Sequence, residues 1–285
     1  MNRSAMVAPR GEADGIETSL NTGTSAAASV VPPVRRVLAR AAFRLLLASA
    51  VGASALAPCA AEAFDLSDRG ALWQVVRKLC LPMHAALGVA LPCLAVDEER
   101  GFVVIRAPGD ATRIIVVPTV RTEGIESPSL LRDDAPNFWA YAWGEREWVA
   151  SAAPRPLGWD DIGMAINSRP ARTQDQMHIH VDCIDARLKK ALAGAKLSTQ
   201  RWSLLSLKPW GSYRVKRLPE SGLERSVFLT VAKEVPGART SMGLQTIAVA
   251  GVTGAKGERG FALLAKGAGG SAEELLDHQC RAERR

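Results

Sequence analysis

The residues best suited to chemistry lie in one run, Ala165 to Cys183, reading AINSRPARTQDQMHIHVDC. Its last part alternates. Met177, Ile179, Val181 and Cys183 are apolar, and Gln176, His178, His180 and Asp182 stand between them. A period of two is that of a half-buried β-strand. It places His178, His180 and Asp182 on one face, about 7 Å between neighbours. The preceding loop carries Asn167, Ser168, Arg169, Arg172, Thr173 and Gln174, a set of cations, amides and hydroxyls. Two of the four histidines in the chain thus stand side by side next to a loop suited to an anion.

Three chemistries fit that face. In the first, a neutral imidazole attacks phosphorus, a phosphoramidate forms and water cleaves it. Arginines and loop N–H groups would then stabilise charge on the phosphoryl oxygens. In the second, the neighbouring histidines ligate a metal ion, which needs a third ligand. Asp182 shares the face, but no further His or Glu stands at persuasive spacing and no Cys-x-x-Cys is present. In the third, the face binds an anion without reacting. The residues alone leave all three open. The first requires neither metal nor cofactor.

The elements that must position this face can be read on either side of it. Helical spacing of Leu72, Val75, Val76 and Leu79 behind Ser67 and Asp68 predicts a helix over 68–80. Pro82 and Pro92 bracket a segment between Cys80 and Cys93. GFVVIR (101–106) and RIIVV (113–117) flank the turn signal Pro108-Gly109-Asp110 and predict a hairpin. An amphipathic helix is expected over 133–150, with Pro136 in its first turn and Trp139 and Trp143 packing into the core. A strand beginning at Ile162 leads into the loop, and a charged helix follows Asp185 to about Lys196. Extended segments are expected at 201–207, 227–231, 244–250 and 261–265, with a glycine turn at Gly254 and Gly257. A terminal helix would carry Glu273, Glu274, His278 and Cys280. Strand, strand, helix, strand, loop, strand is an α+β arrangement.

The 285 residues carry a formal net charge of +7, spread rather than clustered as on a nucleic-acid surface. Such a balance favours anionic substrates or an anionic membrane, and no nucleic-acid partner is expected. Residues 1–33, rich in Ala, Ser, Thr and Gly, are expected to be disordered. Then come Arg35, Arg36, Arg40 and Arg44, the apolar stretch Leu45–Ala57, and Ala61-Glu62-Ala63 before Phe64. A basic, then apolar, then small-x-small pattern reads as an export signal. It is either cleaved after Ala63 or kept as an anchor, which leaves 64–285 as the working domain and places it outside the cytoplasm. In an oxidising compartment the remaining Cys80, Cys93, Cys183 and Cys280 are expected to pair, in one of three ways. Cys80–Cys93 closes a short loop at little entropic cost, which leaves Cys183–Cys280.

The spacing Asn-x₆-Gln-x₃-His-φ-His-φ, with Asn167 and Gln174 before His178 and His180, resembles the histidine-triad superfamily of nucleotide hydrolases and transferases. Four blocks sharpen the likeness: GIESPSLL (124–131), APNFWAYAW (135–143), the run 165–183, and DHQC (277–280). Together they are similar to the bacterial CDP-diacylglycerol diphosphatase family, over roughly 72–280. The resemblance implies a histidine-triad-like antiparallel sheet with packed helices, extended by a C-terminal strand and helix region. It implies His180 as nucleophile on the α-phosphorus and His178 as its hydrogen-bonding assistant. Asn167 and Gln174 would contact ribose and phosphate, with Thr173 beside them and Arg169 and Arg172 on the pyrophosphate. Lys216 and Arg217 are further cation candidates. The implied substrate is CDP-diacylglycerol in a membrane. Where the superfamily has a third histidine this chain has Asp182. A carboxylate there is awkward beside a phosphate unless it faces His180 and holds its proton.

Overall fold

A computed structural model describes residues 67–281. The export signal and the terminal apolar stretch expected over 1–63 lie outside the described residues. The chain starts with α1 (Ala71–Val75), a π-wound turn (Val76–Cys80) and α2 (Leu81–Leu87), running end to end. The expected helix therefore continues past Cys80 and through Pro82. Pro82 has no N–H to give to the preceding turn, and the widened π turn just before it absorbs that defect.

Three antiparallel strands follow: β1 (Ala95–Asp97), β2 (Phe102–Arg106) and β3 (Ile114–Pro118). The β2–β3 hairpin is the expected one. Next come α3 (Phe138–Gly144) and α4 (Glu147–Ala152), where one helix over 133–150 was expected. The start is set by Asn137, whose Oδ1 accepts from Ala140 N at 3.4 Å. Gly144, a poor helix former, ends the first piece. Trp139 and Trp143 are buried, Trp139 edge-on to Phe228 and Trp143 edge-on to Phe261.

The catalytic-looking strand β5 (Ile179–Ile184) is central. It pairs with β3 on one side and β4 (Ile162–Ile166) on the other, so that His180 stands between Ile115 and Ala165. The helix α5 (Ala186–Gly194) follows, capped by Asp185. Then come β6 (Ser203–Leu207), β7 (Gly211–Pro219), α6 (Val227–Glu234), β8 (Thr246–Thr253), β9 (Arg259–Lys266) and the short β10 (Leu276–Asp277). The sheet order is β1-β2-β3-β5-β4-β8-β9-β7-β6, with β10 also paired to β5; the whole is α+β with an antiparallel sheet.

Two expectations fail here for the same reason. Residues 227–231 form α6, not a strand: Ser226 caps the helix, and Val227, Phe228, Val231 and Ala232 bury one helical face. The terminal segment is a short 3₁₀ turn (Glu273–Leu275) followed by β10, not a helix. In both, tertiary packing overrides local propensity.

The two sheet faces differ. Ile179, Val181 and Cys183 point into the main core with Trp139, Trp143 and Phe228. On the other face, Leu72, Val76 and Cys80 pack on Val103, Ile115 and Val117. Farther along that face, Leu188, Leu192, Leu275 and Leu276 cover Ala165, Ala248 and Ala250. His178 and His180 belong to this second face, between its two apolar clusters. The disulfides are Cys80–Cys93 and Cys183–Cys280, as expected.

Candidate active site

His178 and His180 open into a cleft of about 290 Å³. Leu72 and Val75 of α1 and Ile105 and Ile115 of the hairpin give it an apolar wall. Arg113, Thr173, Gln174 and Glu273 give it a polar one. The strand parity that puts both histidines on one face leaves their ring centroids 4.7 Å apart, edge to face.

The two rings are held differently. His178 Nδ1 lies 2.7 Å from the carbonyl of Gln176. A carbonyl only accepts, so Nδ1 carries the proton and Nε2 keeps its lone pair. Gln176 is itself fixed: its side chain bonds Thr122 N and the carbonyls of Pro118 and Val120. His180 has Nε2 at 3.3 Å from Glu273 Oε2. Its Nδ1 is buried without a hydrogen-bond partner.

Both imidazoles resist protonation. Burial pushes the His178 pKa down, with Arg113 and Arg172 adding repulsion. His180 is held well below the usual imidazole value, by burial first and then by His178, Arg113 and His278. A neutral His180 has a free lone pair at neutral pH, which is what an attack on phosphorus needs. The folded pKa is the depressed one, so the unfolded chain binds more protons as pH falls. Stability contributed by these rings is therefore full above the ordinary value near 6.5 and is lost toward acid. For the same reason the acid limb of kcat/KM is expected to bend below pH 6.5. A pH–rate profile checks this, and an acid limb centred above 6.5 would contradict a buried neutral nucleophile.

The loop residues divide. Asn167 leans on the C-terminal segment: its Oδ1 accepts from Glu273 N at 3.1 Å and Ser271 Oγ at 3.2 Å, and its Nδ2 donates to Glu273 Oε2 at 3.0 Å. Gln174 lines the cleft and also clamps the start of α1, accepting from Leu72 N at 2.8 Å and donating to the Asp68 carbonyl at 3.0 Å. Thr173 lines the cleft beside it.

Arg172 is buried, and its guanidinium grips Glu126 at 2.6 Å and Asp175 at 3.2 Å. It lies across Gly124, whose φ of +54° and lack of a side chain leave room for it. Arg169 lines a different hollow, with Arg239, Met242 and Leu244. Lys216 pairs with Glu234 at 2.8 Å, and Arg217 with Glu258 at 3.9 Å.

The cation that lines the histidine cleft is Arg113, which sequence spacing marked only as a strand residue. Its guanidinium bridges Asp110 and Glu273. Neither Arg113 nor Glu273 has a local pattern that would single it out.

Asp182 does not turn to His180. It is fully buried and accepts from Cys183 N at 2.9 Å, with His278 Nδ1 3.8 Å away. Burial raises its pKa, opposed by His278 and Thr112. Among the described residues, the one group with metal-ligand proximity is Asp182, Cys183 and Cys280. The two sulfurs there are bonded to each other and offer no thiolate.

The chain matches the CDP-diacylglycerol pyrophosphatase family over residues 67–284. It is 35% identical over 227 residues to the CDP-diacylglycerol pyrophosphatase of Yersinia pestis, an alignment covering 75% of this chain and 85% of that protein. The matched span contains both histidines, the cleft and both disulfides, and on it this chain belongs to the CDP-diacylglycerol pyrophosphatase family.

Proposed function

We propose that this chain hydrolyses CDP-diacylglycerol to CMP and phosphatidate through a covalent intermediate on His180. The observation that carries the reading is the pair of buried histidines opening into one cleft, where burial holds both below the usual imidazole range, in a chain of this family. His180 Nε2, the ring nitrogen beside Glu273, attacks the α-phosphorus. The bond from that phosphorus to the bridging oxygen breaks, and phosphatidate leaves with the electron pair. Water then cleaves the phosphorus–nitrogen bond, releasing CMP and restoring the imidazole. His178, with its proton on Nδ1 and Nε2 left as an acceptor, lies beside His180 with ring centroids 4.7 Å apart. The pattern of the histidine-triad superfamily supports the same assignment of roles.

A lipid substrate also needs a way in from a bilayer, and the exported, membrane-facing location read from the N-terminus supplies the setting. The tip formed by α2 and the following loop suits that contact. Leu87 and Leu91 are 66% and 65% exposed. Arg77 and Lys78 are exposed nearby, and no acidic residue occurs from Ala71 to Val96. Apolar side chains beside cations favour an anionic bilayer surface. No helix among the described residues is long and apolar enough to cross a membrane.

The test is turnover of CDP-diacylglycerol in anionic vesicles with EDTA present, with the products identified. CMP and phosphatidate are expected in equal amounts. The Leu87→Asp/Leu91→Asp variant is expected to lose most of the vesicle rate and keep the rate on substrate dispersed in detergent. A strict requirement for one added metal ion would favour the metal-ligating alternative. Equal rates on soluble nucleotide diphosphate esters would favour a broader pyrophosphatase or nucleotidyltransferase, and no turnover at all a lipid- or anion-binding protein.

A further inference from the structure

Glu273 stands where a phosphoryl group would have to be. Its Oε2 is 3.3 Å from His180 Nε2, and both residues line the cleft. A reacting atom in a near-attack arrangement sits at about the same separation, 3–3.5 Å. The same oxygen accepts from Asn167 Nδ2 at 3.0 Å, and Oε1 contacts the Arg113 guanidinium. One cation and one amide N–H therefore converge on a single carboxylate that lies against His180. Such a set of donors is what binds two oxygens of a phosphate ester.

The carboxylate can leave without unfolding anything. Its backbone is anchored: Glu273 N donates to Asn167 Oδ1, while Ala272 and Leu275 on either side are buried. Upstream, Gly270 N donates to Ser168 Oγ at 2.8 Å. The Glu273 side chain is by contrast a quarter exposed and lines the open cleft. Rotation about its own bonds is enough to clear the site.

We infer that Arg113, Asn167 and His180 form the phosphoryl-binding site, and that Glu273 occupies it in the free enzyme as an internal anion that a nucleotide phosphate displaces. The inference deepens the proposed function and rests on His180 being the reacting group. It makes Arg113 the phosphate cation of the site, in place of Arg169 or Arg172. Arg172 is already saturated by Glu126 and Asp175, and Arg169 faces another hollow.

The experiment measures binding of CMP and of inorganic phosphate by calorimetry on the full chain and its variants. Glu273→Gln removes the competing charge and keeps the shape, so CMP is expected to bind about tenfold tighter or more. Arg113→Gln is expected to weaken CMP binding by at least about tenfold. A merely structural Glu273 would give unchanged or weaker binding in Glu273→Gln, and that result overturns the inference. Unchanged CMP affinity in Arg113→Gln overturns it as well. If Glu273→Gln does not fold, a crystal structure of the wild-type protein with CMP decides. The phosphoryl group must lie among Arg113, Asn167 and His180 with Glu273 turned away; a phosphoryl group elsewhere refutes the site. The parent reading fails separately, if His180→Ala still turns over CDP-diacylglycerol at the wild-type rate. A dead His180→Ala together with no gain in Glu273→Gln would sink the Glu273 inference alone.

Discussion

His180→Ala is expected to lower CDP-diacylglycerol turnover by about four orders of magnitude or more, as removal of a covalent nucleophile does. The fold should survive. The ring is buried on a strand held on both sides, by Ile115 in β3 and Ala165 in β4, and both pairings use backbone groups that alanine keeps. Neither ring nitrogen of His180 has a hydrogen bond to lose. The loss should therefore appear in kcat and leave the melting temperature within a few degrees of wild type. His178→Ala should be strongly impaired with a measurable residue of activity, since it leaves the proposed attacking atom in place. Rapid acid quench should trap a cytidylyl adduct in the wild-type protein and none in His180→Ala. Near-wild-type turnover by His180→Ala would remove the mechanism.

Breaking Cys183–Cys280, a bridge buried in the main core, is expected to destabilise the fold by roughly 2–5 kcal/mol. The bridge spans 97 residues of sequence, so it restricts a long loop of the unfolded chain. Its effect on activity follows from what it anchors. Leu276 and Asp277 pair with Ile184 and Cys183, and just upstream sits Glu273, against His180, Asn167 and Arg113. Just downstream of that pairing, His278 lies by the buried Asp182. Cys280 adopts φ of +47°, a left-handed conformation that an L-residue does not choose without restraint. In Cys183→Ser/Cys280→Ser the segment should loosen, with a lower melting temperature and a several-fold loss of kcat/KM on a chain whose His180 is unchanged. Thermal melts and assays below the new midpoint measure both, and non-reducing peptide mapping checks the pairing itself. An unchanged melting temperature would mean that the bridge constrains nothing.

The sequence by itself determined whatever depends on neighbours along the chain. Alternation around His178 and His180 is a local property of a strand, so their shared face could be read directly, and so could the turn between β2 and β3. The burial of Trp139 and Trp143 followed from helical spacing. The short Cys80–Cys93 loop could be paired by proximity, and with four cysteines that settled the second bridge.

Only the tertiary structure decided what meets across the sheet. Arg113 comes from the residue just before β3 and Glu273 from beyond β9, and nothing in their immediate surroundings marks either as a site residue. Asp182 was readable as a strand position, but its partner His278 is supplied by the C-terminal segment that β10 lays beside β5. Arg172 was expected on the pyrophosphate, and its partner Glu126 could not be read from the loop because it lies 46 residues away. The failures at 227–231 and at the terminal segment have the same origin. Short apolar runs and short polar turns carry little conformational preference of their own, and burial against distant elements selects their geometry.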